Sequence, residues 1–127
     1  FGIFGAHDVE VGPEGNIWVA DTGNARIVKF SEDLNILDIL DEARYGWIGP
    51  RYLDFDKAGR LLVADQTAHR VLLIDRKGGI VGIIGDGTPG VGPNKFDDPE
   101  GAEIVGPEIY ISDSDNNRVV RYLILMN

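Results

Sequence analysis

Short apolar runs alternate with polar turns along the whole chain, and three of these turns share one pattern. In each, a largely apolar run leads to an Asp, and an Arg five residues later opens the next apolar run. The Asp residues are Asp21, Asp65 and Asp113, so the pattern returns after 44 and then 48 residues. A self-similar period in this range is typical of a repeat protein.

Each repeat predicts about four short antiparallel strands, because its apolar runs are brief and are bounded by Gly, Pro, Asn and Asp. The predicted strands lie at residues 9–11, 17–20, 26–30, 36–40, 53–55, 61–64, 70–75, 80–84, 102–105, 109–112 and 118–125. No window shows sustained apolar spacing of three and four residues, so almost no helix is predicted.

Repeats of about 40 to 50 residues with four strands predict an all-β fold built from β-propeller blades. We expect one propeller unit over residues 1–127, with blade one at about 6–40, blade two at about 50–84 and blade three at about 99–126. The third repeat has no fourth strand after it. The apolar run at residues 1–4 resembles a fourth strand, and we expect it to complete blade three.

Three blades are too few to close a ring, since propellers typically have about four to eight. An open arc would leave strand edges and an apolar blade face uncovered. We therefore expect two copies to form a six-bladed ring with twofold symmetry, in which residues 1–4 of one copy pair beside residues 118–125 of the other. The alternative is that the chain is half of a longer propeller chain.

The charge of the chain excludes two classes of partner. With 12 Lys and Arg against 21 Asp and Glu, the net charge is −9, which argues against nucleic acid or an anionic membrane surface as the partner. No run of about 18 apolar residues exists, so the sequence predicts no membrane span. The absence of Cys excludes disulfides and thiol chemistry and leaves the compartment open.

The repeated turn resembles the Asp-x-x-Asn-x-Arg turn of NHL-repeat β-propellers. Residues that fit this pattern are Asp21, Asn24, Arg26, Asp65, Arg70, Asp113, Asn116 and Arg118, whereas Ala68 replaces the Asn of the second repeat. The glycine-rich segment 85–93, with Phe96 and residues 98–101, resembles the connector between blades of that family. Because the motif recurs in every repeat, we interpret it as structural: the Asp binds turn N–H groups and the Arg pairs with a carboxylate or carbonyl.

Repeats indicate function at the positions where they differ. Aligned on the three Asp residues, the start of the first strand holds His7, Arg51 and Glu100 at one position, and Asp8, Tyr52 and Gly101 at the next. In a propeller these positions lie at one mouth of the central channel. The sequence therefore predicts a ligand site there, and the alternative is a solvated loop. The candidate ligand-binding residues are His7, Asp8, Arg51, Tyr52 and Glu100.

The resemblance extends to the peptidyl-hydroxyglycine amidating lyases, whose zinc histidines lie at the Pro-x position of several blades. Here only His7 matches, because Arg51 and Glu100 occupy the other two positions. The resemblance thus implies His7 as the candidate ligand of a divalent metal, zinc or calcium, with a second His7 supplied by the twofold ring. Arg51 disfavours a cation nearby, and otherwise no cofactor is expected.

Taken together, these features favour a binding or scaffold module that takes a protein or small-molecule ligand at the channel mouth. No catalytic residue is assigned, and an enzyme is the less favoured interpretation. The alternatives are a metal-dependent lyase or hydrolase, and an inactive half of a longer propeller. The segment 85–90 reads G-x-G-x-x-G, but no helix follows it to receive a phosphate, so a dinucleotide site is excluded.

Overall fold

The computed structural model describes residues 2–125 and shows three antiparallel sheets, one after another along the chain. The strands of the first sheet, blade one, are β1 (Asp8–Val11), β2 (Ile17–Asp21), β3 (Arg26–Phe30) and β4 (Ile36–Leu40). Blade two consists of β5 (Pro50–Phe55), β6 (Leu61–Asp65), β7 (Arg70–Ile74) and β8 (Ile80–Ile84). Blade three consists of β9 (Pro99–Val105), β10 (Glu108–Asp113) and β11 (Arg118–Leu123).

The predicted all-β fold is confirmed, and the strands form where the apolar runs predict them. The first strands of blades two and three begin three residues earlier than predicted, at Pro50 and Pro99, because each continues past a β-bulge. The helical elements in the described residues are short. They are three 3-10 turns, each directly after a repeated Asp, and α1 (Glu42–Tyr45), whose first turn is capped by the Asp41 side chain at 3.0 Å from Arg44 N.

The strand predicted at residues 1–4 is wrong for residues 2–4, and Phe1 lies outside the described residues. The backbone of this segment is bound by the turn of blade one instead of by a neighbouring strand. Phe4 N–H donates to Asp21 Oδ1 at 2.7 Å, and Gly2 O accepts from Arg26 Nη2 at 3.0 Å. Because these polar groups are already paired within blade one, the segment occupies the position of a connector and not that of a fourth strand.

The repeated Asp and Arg hold the connector in all three blades, and we call this arrangement the Asp clasp. In blade two, Gly49 N–H donates to Asp65 Oδ1 at 2.8 Å, and Arg70 Nη2 donates to Asp65 Oδ2 at 3.1 Å and to Tyr45 O at 2.8 Å. In blade three, Asp97 N–H donates to Asp113 Oδ1 at 2.7 Å. The structural interpretation of the motif is therefore supported by its contacts.

The left-handed residue of the turn follows the Asp by four positions. Ala25, His69 and Asn117 have φ of 51°, 53° and 52°. The Asn and Gly two or three residues after the Asp lie in the 3-10 turn itself. The repeat thus tolerates a non-glycine residue in a region that favours glycine, and each of the three N–H groups closes its own 3-10 turn.

The apolar core lies between the blades. One cluster joins blades one and two, and the other joins blades two and three, so both faces of blade two are covered. The connectors of blades two and three each add an aromatic side chain to a cluster: Trp47 to the first and Phe96 to the second, both fully buried. No helix in residues 2–125 is long and apolar enough to cross a membrane.

Candidate functional site

The first strands of the three blades lie side by side and form one wall of a cleft. β1 contacts β5, and β5 contacts β9. The cleft has a volume of about 370 Å³. We call it the first-strand cleft, and its polar lining consists of Asp8, Glu10, Tyr52, Glu103, Tyr110 and Ser112.

Carboxylates stand at one equivalent position on all three first strands. Strand register places Glu10 opposite Trp18, Asp54 opposite Leu62 and Glu103 opposite Tyr110, which are matching positions of the three second strands. Two repeats carry Glu at this position and one carries Asp. The alignment of the repeats could have revealed the three acids, because they follow the aligned Asp8, Tyr52 and Gly101 by two residues. The cleft wall is therefore acidic along its length.

Crowding of these acids disfavours their charged forms. Burial and then the carboxylates of Asp8, Asp54 and Glu103 raise the pKa of Glu10. The pKa of Glu103 is raised by burial, then by the charge of Asp54 and by hydrogen bonding to it. A positive charge placed in the cleft would relieve this repulsion, because it favours the ionised form of every carboxylate near it.

Two of the five predicted ligand residues line the cleft. Asp8 lies at its blade-one side and Tyr52 on blade two. The Asp8 carboxylate also has a structural role, because its Oδ2 accepts a hydrogen bond from Leu53 N–H at 2.8 Å and so joins the first strands of blades one and two. A charged ligand would contact an acid whose position is set by this bond.

Arg51 and Glu100 meet through a residue that the sequence analysis did not select. Arg51 Nη1 donates to Gln66 Oε1 at 2.6 Å, and Gln66 Nε2 donates to Glu100 Oε1 at 3.1 Å. Gln66 is the first residue of the turn after Asp65, where the other repeats have Thr22 and Ser114. That difference between repeats was the available signal. The three side chains hold the ends of β5 and β9 together.

His7 is exposed, and its backbone N–H donates to Ala20 O at 3.2 Å. Within residues 2–125, the one group of three or more side chains suited to binding a metal ion consists of His69, Asp97 and Asp98, and it does not include His7. The metal site at His7 thus stays a prediction from the resemblance.

The group at His69 is explained by its hydrogen bonding. His69 Nδ1 lies 3.8 Å from one carboxylate oxygen of both Asp97 and Asp98, and it accepts a hydrogen bond from Asp98 N–H at 3.1 Å. This bond uses the Nδ1 lone pair that an ion would need. The His69 side chain is largely buried and joins the turn of blade two to the connector of blade three.

The fold is that of a β-propeller, as three solved structures with similar chains show. A protein of unknown function from Bacteroides caccae matches with a TM-score of 0.72 at 15% identity, over 93% of this chain and 46% of that chain. Virginiamycin B lyase from Staphylococcus aureus matches with a TM-score of 0.66 at 15% identity, over 96% and 42%. Hydrazine synthase from Kuenenia stuttgartiensis matches with a TM-score of 0.68 at 15% identity, over 95% and 36%.

The chain spans less than half the length of these three proteins. Residues 5–30 match the family model of the NHL repeat. The chain is thus a β-propeller chain with a match to the NHL repeat in its first blade, in agreement with the resemblance of its turns. Among curated proteins, none has a matching sequence.

Proposed function

We propose that this protein is a binding module whose ligand site is the first-strand cleft, and that the ligand carries positive charge. The observation that carries the proposal is the acidic wall of the cleft, where Glu10 and Glu103 have raised pKa values because burial and neighbouring carboxylates disfavour their charge. The repeats also differ at the start of these strands, where His7, Arg51 and Glu100 occupy one equivalent position.

An amine or guanidinium group fits the chemistry of this wall. Carboxylates bind such groups through charge-assisted hydrogen bonds, and the Tyr52 ring offers an apolar face beside them. That ring already has the guanidinium of Arg51 5.9 Å from its centroid, at the distance of a cation–π contact. The net charge of −9 attracts a basic ligand from a distance.

Four of the five residues predicted from the sequence have a role in this proposal, and His7 has none. Asp8 and Tyr52 contact the ligand, together with Glu10 and Glu103. Arg51 and Glu100, joined through Gln66, hold the first strands in place. A small organic cation and a basic peptide segment share the same chemistry, and small cations are the simpler probes.

Replacing Glu10 with glutamine should stabilise the folded protein at pH 7 by roughly 0.5 kcal/mol, because the charge that the wall disfavours is removed. The folded pKa of Glu10 lies above its ordinary value of 4.5, so wild type loses stability as pH rises through that value and the variant does not. The gain should therefore vanish below pH 4.5. Urea unfolding at pH 7 and at a pH below 4.5 measures this gain in stability, with Glu32→Gln in an exposed turn as the control. An equal gain at both pH values would contradict this account.

Spermidine and agmatine should bind wild type with millimolar dissociation constants, a free energy of about −4 kcal/mol. Amide chemical shifts of β1, β5 and β9 in NMR spectra report the site, and glutarate serves as an anion of similar size. Binding should weaken at least threefold in Asp8→Asn and Glu10→Gln, and should decline as salt is added.

Zinc chloride belongs in the same titration, because it separates the proposal from the metal-dependent lyase candidate. Tight zinc binding that is lost in His7→Ala, with no response to the organic cations, would favour the metalloenzyme. If neither cation shifts the first-strand amides, the proposal is wrong.

A further inference from the structure

A second cavity lies between blades one and two, at the end of their interface where the β1–β2, β5–β6 and β7–β8 turns lie. We call it the interblade pocket, and its volume is about 120 Å³. It shares no lining residue with the first-strand cleft. Its large apolar side chains are Trp18, Leu40, Tyr45, Phe55, Leu61 and Ile74. The pocket is therefore a separate site, which the cation ligand proposed above does not occupy.

The apolar wall of the pocket is fixed before any ligand binds. Four of its residues belong to the buried core cluster between the two blades: Leu40, Tyr45, Leu61 and Ile74. The Tyr45 ring is held from two sides, because it stacks on Trp47 and its hydroxyl donates to Gly78 O at 2.7 Å. Trp18 and Phe55 are partly buried, and their ring centroids lie 5.3 Å apart. The pocket thus presents a preformed aromatic surface, as sites for small molecules commonly do.

The interface between blades two and three fills the matching positions. Trp18 and Lys29 stand opposite each other on β2 and β3, and strand register places Leu62 and Leu73 at the same positions on β6 and β7. The two leucines are buried in the cluster between blades two and three, whereas Trp18 and Lys29 are only partly buried. The interblade pocket therefore lies where a Trp–Lys pair stands in place of a buried Leu–Leu pair.

The charges around the pocket differ from those of the rest of the chain. Four of the 12 Lys and Arg line it, but only three of the 21 Asp and Glu do. Glu14 is paired with Arg76 across the two blades at 2.8 Å. The carboxylates of Asp38 and Asp75 accept hydrogen bonds from backbone N–H groups of their own strand and turn. All three acids are thus engaged within the protein, and basic groups are in excess.

Two of the basic groups lie over the aromatic wall. The Lys29 ammonium lies 5.3 Å from the centroid of the Trp18 ring, and the Arg44 guanidinium lies 5.0 Å from that of Tyr45. Asp38 stands opposite Lys29 in the strand register, but within residues 2–125 neither Lys29 nor Arg44 forms an ion pair with a carboxylate. A carboxylate that entered the pocket would therefore gain charge-assisted hydrogen bonds without breaking an existing ion pair.

We propose that the interblade pocket binds a small aromatic carboxylate, with its ring against Trp18 and Phe55 and its carboxylate beside Lys29 and Arg44. The volume fits a single ring, because a closed apolar cavity of about 150 Å³ holds a benzene molecule and this pocket is open at its charged rim. Ring pairs in stacked or tilted contact attract each other beyond the area that they bury, which favours a flat aromatic ligand.

The charge of the ligand follows from the local basic groups. The net charge of −9 opposes an anion at long range, so binding depends on the cations at the pocket itself. The ligand is thus opposite in charge to that of the first-strand cleft, and the two proposals stand on different residues.

Three ligands that share one ring and differ in charge test the proposal: benzoate, benzamide and benzylamine. NMR chemical shifts of the Trp18 indole N–H and of the amides of residues 75–78 report the pocket, and the amides of β9 report the first-strand cleft. Benzoate should shift the pocket signals with a millimolar dissociation constant and leave β9 unchanged. Benzamide should bind roughly threefold more weakly, a ratio typical of a lost exposed ion pair. Benzylamine should leave the Trp18 signal unchanged.

Two variants separate the roles of the charge and the ring, with the amides of residues 75–78 as the readout. Lys29→Gln should weaken benzoate binding roughly threefold and leave the affinity for benzamide unchanged. Trp18→Leu gives blade one the leucine that blade two has at this position, and it should weaken the binding of both ligands. Arg121→Gln removes a cation at the matching position of blade three, so this control should bind benzoate like wild type.

The proposal is overturned if benzoate shifts none of the pocket signals, if benzamide binds as tightly as benzoate, or if Lys29→Gln and Arg121→Gln lose equal affinity. Should the amide spectrum show that Trp18→Leu does not fold, Lys29→Gln and the three ligands still decide. The spermidine titration of the first-strand cleft succeeds or fails independently, because the two sites share no lining residue.

Discussion

Asp65→Ala should lower the free energy of unfolding by about 3 kcal/mol, one of the largest losses that a single substitution can cause in this chain. Asp65 is fully buried, and its carboxylate accepts hydrogen bonds from Gly49 N–H and from the guanidinium of Arg70. Removing it leaves the Arg70 charge and the connector N–H groups without their acceptor, which costs about 3 to 5 kcal/mol for a buried pair. The lower value applies because the Arg70 side chain is 18% exposed and water can reach it.

Urea unfolding at one fixed protein concentration measures this loss, since an oligomer would make stability depend on concentration. Asp65→Asn keeps the shape and one acceptor oxygen, so its loss should be smaller. The double variant Asp65→Asn with Arg70→Met should lose less unfolding free energy than the sum of the two single losses, because the two side chains share one interaction. A loss no larger than that of Asp33→Ala, in an exposed turn, would show that the clasp does not hold the connector.

Trp47→Ala should cost about 3 to 5 kcal/mol, the range for removing a large aromatic side chain from a core. Trp47 fills the space between blades one and two, stacks on Tyr45 with ring centroids 5.3 Å apart, and donates from Nε1 to Leu40 O at 3.2 Å. The substitution would leave both a cavity and an unpaired carbonyl at the same interface. Urea unfolding followed by circular dichroism measures the cost.

The second tryptophan provides a matched comparison. Trp18 is only partly buried, contacts Phe55 at the edge of the same cluster and lies under the Lys29 ammonium. Trp18→Ala should therefore cost clearly less than Trp47→Ala, and Trp47→Phe should be intermediate. In Trp18→Phe, the remaining Trp47 should emit at the short wavelengths typical of a buried indole. Equal losses from the two alanine substitutions would contradict the assignment of Trp47 to the core.

Three of the four strands of blade one illustrate why the fold could be predicted from the sequence. β2, β3 and β4 coincide with apolar runs bounded by turn residues, and their side chains alternate between two faces. Strand formation there depends on local pattern and turn chemistry, which a sequence states directly. The recurrence of the Asp and the Arg predicted the blade architecture, because a local unit that recurs in the sequence packs in the same way each time.

The candidate site could be predicted only in part from the sequence. The alignment of repeats selected Asp8 and Tyr52, which line the cleft, because position within a repeat defines position on the first strand. It did not reveal that Gln66 links Arg51 to Glu100, since that contact joins two blades and depends on the orientation of three flexible side chains. Nor does His7 join other metal-binding side chains in the described part of the chain.

The sequence by itself determined the strands, the turns between them and the division into three repeated units, since these depend on interactions among residues that are near in the chain. Only the tertiary structure decided which polar groups each segment would satisfy. Residues 2–4 have the composition of a strand, but Phe4 N–H donates to Asp21 and Gly2 O accepts from Arg26, and this competition is decided by three-dimensional proximity. The same holds for Leu53 and Val71, which are buried although Val9 and Val119 at the equivalent positions are exposed, because burial depends on the neighbouring blades and not on the residues themselves.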